Sequence, residues 1–388
     1  MKKIVCLFIT IILINFPIQN IYANTNENDS QNQTLAEQQE EFGINDFIQE
    51  SEQYTGEFFE DIDINEILQD ALKGEVNNDN ILTKILSLFG KEFMSALGAI
   101  AGILAIIIIH SILKSVSDGL ENDNISKLIY YVQYILIITI IMSNFSDIVK
   151  IVQDTSNNLV GFMNILVPLL MTLMIYTGSI TTTTILEPIT LFLINFIGNI
   201  IQTILIPLVL VVVSLVIISK ISDKVQIGKI AKFLKSGIVW FLGIILTVFV
   251  AVVSLEGTLS SSVDGITAKT TKAVVSSAVP VVGKILGDAV DTVLGCGIIL
   301  KNAVGFVGVI IVVVICIVPI LKLTILTIAY KILVAITEPI ADGKIVDLLE
   351  QIGDVFKIFL AILCSLSVLL IIGTALVLKI SNTGMMYR

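Results

Sequence analysis

The feature that most constrains this chain is a series of apolar runs that follow one another from residue 93 to residue 378. Each is close to the ~20 residues that a helix needs to cross a ~30 Å hydrocarbon core. Hydrophobic residues make up 55% of the 388 residues and charged residues only 14%, with a mean hydropathy of +0.95. A soluble domain has about a quarter charged residues. The sequence therefore predicts an all-α polytopic membrane protein.

The apolar runs predict about nine transmembrane helices, and counts of seven or eight also fit the pattern. The predicted spans are 93–113, 128–149, 159–177, 185–202, 203–219, 237–253, 303–321, 323–340 and 356–378. The multi-spanning membrane domain is predicted to cover residues 91–388. The run 185–219 is too long for one transmembrane helix unless that helix is steeply tilted. The number of spans in this run therefore depends on the topology of the flanking loops.

One basic loop sets the predicted topology. Its lysines are Lys220, Lys224, Lys229, Lys232 and Lys235. Short loops rich in lysine stay in the cytoplasm. If the chain starts outside, an odd number of crossings must precede this loop, so 185–219 is predicted to be a tight pair of spans. The acidic stretch 341–354 is predicted to lie on the exported side, and the C-terminus inside.

The N-terminus has the pattern of a cleavable secretory signal peptide at residues 1–23. Two lysines precede an apolar stretch at 4–16, which is too short to span comfortably, and Ala23 supplies a small residue before the cut. An uncleaved anchor is the alternative. In both cases the segment that follows is exported, which places the mature N-terminus on the extracytoplasmic side.

The segment 24–90 carries more net negative charge than the whole chain, whose net charge is -10, so the remainder is slightly basic. Between residues 24 and 79 there are sixteen Asp and Glu residues but only one lysine, Lys73. Residues 24–40 are rich in Asn, Gln and Glu and are predicted to be disordered. From Ile44 onward apolar residues recur at helical spacing, which predicts one or two acidic amphipathic helices. Anionic lipids would repel such helices, so we expect a partner protein to cover their apolar face.

The segment 254–302 is unusually polar for a membrane domain and contains several glycines. Polar, non-helical backbone at membrane depth persists only where protein or a water-filled cavity satisfies it. The segment is therefore predicted to be re-entrant, as a pore lining or an assembly surface. An extracytoplasmic loop with two amphipathic helices is an equal alternative. The candidate residues are Glu256, Gly257, Asp264, Gly265, Lys269, Lys272, Pro280, Gly283, Asp288, Asp291, Lys301 and Gly305.

The sequence contains no motif that indicates an enzyme, a metal site or a cofactor site. The patterns GxxxxGK[ST], HExxH and GxSxG are absent. The four cysteines have no CxxC spacing, and His110 is the only histidine. Arg388 is the only arginine, so a surface that reads nucleic acid is not indicated. We expect no catalytic residue, no metal ligand and no cofactor.

The polar segment also carries the longest recognisable motif in the chain. It consists of Ser254-Leu-x-Gly257, Asp264-Gly265, Lys269 with Lys272, Pro280-Val-x-Gly283, Asp288-Ala-x-Asp-Thr-Val and Lys301-Asn-Ala-x-Gly305. These residues resemble the stage III sporulation protein AE family of endospore-forming bacteria. Residues 234–240 and the terminus Met385-Met386-Tyr-Arg resemble it too, and the similarity is poorest between residues 24 and 85.

The resemblance implies a role that composition cannot give. Members belong to the mother-cell machinery encoded by the stage III A operon, which joins a forespore membrane protein to form a channel or secretion-like complex. It implies a multi-pass protein of the mother-cell membrane around the forespore. The implied partners are other membrane proteins of the stage III A complex, the lipid bilayer and, indirectly, the forespore protein. No nucleic acid is implied.

A self-sufficient secondary transporter is the competing hypothesis. It is motivated by the predicted intramembrane carboxylates Glu187 and Glu338 and by a partial repeat of proline spacing, since such repeats are common in transporters. Each of these glutamates precedes a proline, so a start or kink of a helix near the interface is an equally simple interpretation.

Overall fold

The chain forms a bundle of long helices. The computed structural model describes residues 37–55, 64–73, 79–118, 123–221, 227–278 and 282–383, with the backbone alone in some stretches, the longest of which lie between residues 256 and 292. The predicted signal peptide and the first part of the acidic segment lie outside the described residues. Within the described ranges there are helices and turns but no strand, in agreement with the predicted all-α class.

Nine α-helices are described in these ranges. They are α1 (Ile44–Thr55), α2 (Ile64–Lys73), α3 (Asp79–Asp118), α4 (Asp123–Tyr176), α5 (Ile180–Ile200), α6 (Ile206–Ile221), α7 (Gly228–Ala278), α8 (Val282–Thr337) and α9 (Gly343–Thr383). A π-helical turn, Ile201–Leu205, joins α5 to α6. Helices α1 and α2 lie where the sequence predicts amphipathic helices.

Six helices of the described chain are long and apolar enough to cross a membrane. The apolar stretches are Glu92–Val116, Leu128–Tyr176, Ile180–Ile221, Gly228–Leu255, Val293–Thr337 and Gly343–Lys379. The separate spans predicted at 128–149 and 159–177 both lie on α4, and those predicted at 303–321 and 323–340 both lie on α8. The reason is that a helix satisfies its backbone hydrogen bonds internally, so the polar residues 144–158 interrupt the hydropathy without ending the helix.

The tight pair of spans predicted at 185–219 is wrong, because the chain does not reverse there. Residues 180–221 form α5, the π turn and α6 in one run, and Ile201 and Ile206 both keep right-handed helical dihedrals. Pro207 has no N–H group and removes one helical hydrogen bond just after the π turn. A π turn is a common way to accommodate such a local defect inside a continuous helix.

Helix α9 lies at the centre of the bundle and packs along α8. Ser367 donates to the Cys316 sulfur at 2.7 Å, and the rings of Tyr330 and Phe356 meet edge-on at 5.0 Å. On another side of α9, Phe359 packs against Phe145 of α4. The buried apolar core continues along the whole length of these helices. This core fixes the register between helices and therefore fixes the level of each polar side chain.

The bundle has two distinct ends. The basic end contains Lys114, Tyr130, Lys220 and Asp342, and it includes the turn between α8 and α9. The α1 end contains Gln38, which donates to Tyr176 Oη and to the Val293 carbonyl. Because the six long helices alternate in direction, α3 begins and α9 ends at the α1 end. The last described residue, Thr383, thus lies at the end opposite to the basic loop, and the prediction that the last span finishes on the side of that loop is wrong.

Candidate functional site

The polar segment 254–302 is helical on both sides of a short gap. Helix α7 continues to Ala278 and α8 begins at Val282, whereas residues 279–281, with Pro280, lie outside the described residues. Gly257 and Gly265 therefore lie inside α7, and Gly283 lies in the first turn of α8. Helical backbone at these three glycines needs no positive φ.

The segment lies at and beyond the α1 end of the bundle. Gly297 of α8 packs so closely on the last turn of α4 that a Cβ atom there would lie 2.9 Å from the Tyr176 ring. The fifteen residues from Val282 to Cys296 continue past this contact, which is about 22 Å of helix. In the described chain the polar segment is thus the far portion of two long helices, and its re-entrant placement stays a prediction.

The structure describes the surroundings of only two of the twelve candidate residues, Lys301 and Gly305. The side chains of Glu256, Asp264, Lys269, Lys272, Asp288 and Asp291 lie outside the part of the structure that is described. Lys301 is fully buried in α8, which is rare for a lysine. Gly305 lies one turn further along, where an added Cβ would be 2.5 Å from both Cδ atoms of Leu378. Gly305 therefore allows α8 and α9 to approach each other closely.

The lysines of the predicted basic loop lie together at the basic end. Lys220 Nζ is 2.8 Å from Asp347 Oδ2, and Lys235 Nζ donates to the Gln351 carbonyl at 3.2 Å. Lys229 and Lys232 are exposed, and Lys224 lies outside the described residues. The prediction that 341–354 lies on the opposite side from this loop is wrong, because residues of the two segments are in direct contact.

Two tyrosines of α4 attach that helix to α6 at the same end. Tyr130 Oη donates to the Lys220 carbonyl at 3.2 Å, and Tyr134 Oη donates to the Ile217 carbonyl at 2.5 Å. Lys344 Nζ lies 5.9 Å from the centre of the Tyr130 ring. Tyrosine is enriched at membrane–water interfaces, and both residues lie near the start of the span predicted at 128–149.

The acidic helix α1 covers the bundle itself. The rings of Phe47 and Tyr54 lie 6.0 and 6.5 Å from the Phe162 ring of α4, and Phe42 meets Tyr176 edge-on at 4.8 Å. Its carboxylates, including Asp46 and Glu50, are exposed. The apolar face of α1 thus packs on the same chain and not, as the sequence had led us to expect, on a partner protein.

A ladder of amide side chains between α4 and α5 was missed by the sequence analysis. Asn164 and Asn195 exchange two hydrogen bonds of 2.8 and 3.1 Å. Seven residues further along the chain from Asn195, Gln202 Nε2 donates at 3.0 Å to both the Asn157 side chain and the Gln153 carbonyl. The signal was present in the sequence, because Asn157 and Asn164 are seven residues apart, as are Asn195 and Gln202.

Two small cavities lie in the described part of the bundle, and each measures about 10 Å³, which is enough for one water molecule. One lies beside Thr190 and Gly373, and the other beside Ile201 and Ser365. The other residues around them are mainly apolar, so neither cavity resembles a polar solute site.

The described residues contain no group of three or more His, Cys, Asp or Glu side chains that could hold a metal ion. Cys296, Cys316 and Cys364 are buried free thiols. The two carboxylates of the transporter hypothesis are far apart, since Glu187 is near the start of α5 at the α1 end and Glu338 is in the turn after α8 at the basic end. They do not share a binding site.

The comparison with protein families identifies the chain. A family model described as Stage III sporulation protein AE matches residues 62–381, which is most of the sequence. This chain belongs to the Stage III sporulation protein AE family. The similarity noted in the polar segment thus extends through all six long helices, and membership gives the protein a role in sporulation.

A relative supports the same assignment. Stage III sporulation protein AE of Bacillus subtilis (strain 168) is 27% identical over 345 residues, which cover 86% of this chain and 86% of that protein. No solved structure matches the chain. In this chain, the six long apolar stretches form a bundle on which the acidic helix α1 packs.

Proposed function

We propose that this protein is a non-enzymatic membrane subunit of the channel or secretion-like complex that connects the mother cell to the forespore. Family membership supports the sporulation role. The observation that supports an assembly role is the tightly packed apolar core, which is buried along α8 and α9 and in which two cavities measure only about 10 Å³ each. A passage would then lie between this chain and its partners.

The proposed location is the mother-cell membrane around the forespore, with the mature N-terminus on the extracytoplasmic side. The cluster around Lys220 supports this orientation, because the lysine-rich ends of spans remain in the cytoplasm. The α1 end would then face the space between the two membranes. The projecting helices of segment 254–302 would extend into that space, where the other stage III A membrane proteins and the forespore protein are proposed to meet them.

The test is affinity isolation of the tagged full-length chain from sporulating cells after mild crosslinking. Other stage III A membrane proteins are expected in the eluate, and deletion of residues 254–302 should reduce their recovery. A vegetative multi-spanning protein with the same tag and expression level is the control for non-specific membrane carry-over. Recovery of the chain alone, under conditions where other sporulation complexes survive, would contradict the proposal.

A further inference from the structure

The large apolar side chains on the surface are concentrated in one half of the bundle. Most of those that are exposed lie in five stretches next to the basic end: 108–116, 128–142, 204–221, 230–240 and 328–340. A contiguous exposed apolar surface of this kind requires a membrane or a protein to cover it. This half of the bundle is called the basic half below.

The other half of the bundle, called the α1 half, has a different surface. The amides of Asn164, Asn195 and Asn199 are exposed on α4 and α5, among fewer exposed apolar side chains such as Phe192 and Phe196. The acidic helix α1 lies along the same level, since Tyr54 touches Gly161 and Phe162. A charged side chain in hydrocarbon is costly, by roughly 2.5–3.5 kcal/mol or more each. The α1 half is therefore the less favourable of the two surfaces for lipid chains.

Exposed charges mark the boundary between the halves. On α4, Asp147, Lys150 and Asp154 are all exposed, and they follow Tyr130 by 17–24 residues, which is about 26–36 Å of helix. On the neighbouring helix, Gln202 precedes Lys220 by 18 residues, or about 27 Å. These separations match the ~30 Å thickness of a hydrocarbon core.

From these observations we infer that the lipid bilayer surrounds only the basic half. The hydrocarbon core extends from the level of Tyr130 to the level of Asp147, and every one of the six long helices crosses it once. The α1 half stands outside the bilayer as a water-exposed continuation of the same helices. Residues 159–176 and 185–202, which are apolar enough to be taken for spans, belong to this extramembrane part.

A bilayer around the α1 half instead would conflict with the surfaces of both halves. With the bilayer around the α1 half, the amides of Asn164 and Asn195 and the carboxylates of α1 would lie at hydrocarbon depth. The exposed side chains of 108–116, 128–142 and 328–340 would meanwhile face water. The inferred placement of the bilayer depends only on these surfaces. The assignment of the α1 half to the exported side rests on the function proposed above.

The test uses the full chain in vesicles of phosphatidylethanolamine and phosphatidylglycerol, with its native cysteines replaced by alanine. Single spin labels are placed at Ala105 and Ser214 in the basic half and at Asn199 and Phe192 in the α1 half; all four side chains are exposed. Collisions of each label with oxygen and with a water-soluble nickel chelate are measured. Circular dichroism and gel filtration check that each variant is folded.

Labels at Ala105 and Ser214 are expected to collide rarely with the nickel chelate and often with oxygen. Labels at Asn199 and Phe192 are expected to be open to the chelate, and Phe192 separates depth from side-chain polarity because it is apolar. Ser214 and Asn199 lie fifteen residues apart on one continuous helical run and form the matched pair. Chelate access at Ser214, or its loss at Asn199, would overturn the inference whatever partners the affinity isolation recovers.

Discussion

Lys220 Nζ lies 2.8 Å from Asp347 Oδ2 and joins the end of α6 to the first turns of α9. This ion pair places a lysine-rich segment and an acid-rich segment at the same end of the bundle. The local charge of residues 341–354 is therefore partly neutralised by lysines from other helices. The net charge of a loop therefore does not show on which side of the membrane the loop lies when a neighbouring segment neutralises that charge.

The pair should contribute little to stability, because 59% of the Asp347 side chain is exposed. In a double-mutant cycle with Lys220→Gln and Asp347→Asn, we expect a coupling free energy of at most about 1 kcal/mol, measured from thermal unfolding in detergent. Coupling should decrease as salt is added. Glu350→Gln, at an exposed neighbouring carboxylate, is the control partner and should show weaker coupling to Lys220. Coupling above about 3 kcal/mol would indicate a desolvated pair instead.

The basic cluster should set the orientation of the protein. Replacement of Lys220, Lys224, Lys229, Lys232 and Lys235 by Gln removes the positive charge next to two helix ends and should invert or mix the orientation. Reporter fusions after Ile221 and after Ala278 measure the side of each position. The five-fold Lys→Arg variant keeps the charge and should behave as the native chain. Unchanged sidedness in the Gln variant would remove the main support for the proposed topology.

Gly305→Ala and Gly243→Ala should have effects of opposite sign. A Cβ at Gly305 would lie 2.5 Å from Leu378, whereas nothing lies within 4 Å of one at Gly243. Overpacking is expected to destabilise the first variant by about 1–3 kcal/mol. The second should be neutral or gain up to about 1 kcal/mol from helix propensity. Thermal unfolding in detergent measures both. Equal changes in the two variants would show that the contact of α8 with α9 at Gly305 is not tight.

Tyr54→Ala should loosen α1 from the bundle. The Tyr54 ring packs on Phe162 and on the Gly161 backbone, and loss of an aromatic contact of this kind is worth about 1–3 kcal/mol. Hydrogen exchange of the α1 amides should become faster, while exchange in α9 should be unchanged. Glu50→Ala alters an exposed side chain of the same helix and should leave exchange nearly as in the native chain. Retained protection after Tyr54→Ala would contradict the packing described here.

The backbone at residue 265 is helical, which decides what substitutions of Gly265 should do. Gly265→Ala should preserve sporulation, because alanine favours a helix, whereas Gly265→Pro should abolish it, since proline inside a helix costs about 3 kcal/mol. Asp264→Asn is expected to be mild if no ionised group in this segment acts chemically. Spore counts at matched protein levels measure all three. Loss of function in Gly265→Ala but not in Asp264→Asn would favour a special backbone at this position.

The sequence by itself determined the class of the protein and its family. Long apolar runs exclude a soluble fold, and in hydrocarbon a helix is the simplest way to satisfy every backbone hydrogen bond. The motif from Ser254 to Gly305 was sufficient to identify the family, because so many specified residues rarely recur by chance. These conclusions depend on composition and local order, which require no knowledge of neighbouring helices.

The tertiary structure alone decided where the helices end and which helices touch. The polar stretch at 144–158 looks like a loop in a hydropathy profile, yet α4 continues through it, and Gln202 of the π turn donates to the Asn157 side chain and the Gln153 carbonyl there. The same holds for the apolar face of α1, which packs on Phe162 more than a hundred residues away. Such contacts between distant segments are set by the packing of the whole bundle, and no local pattern in the sequence contains them.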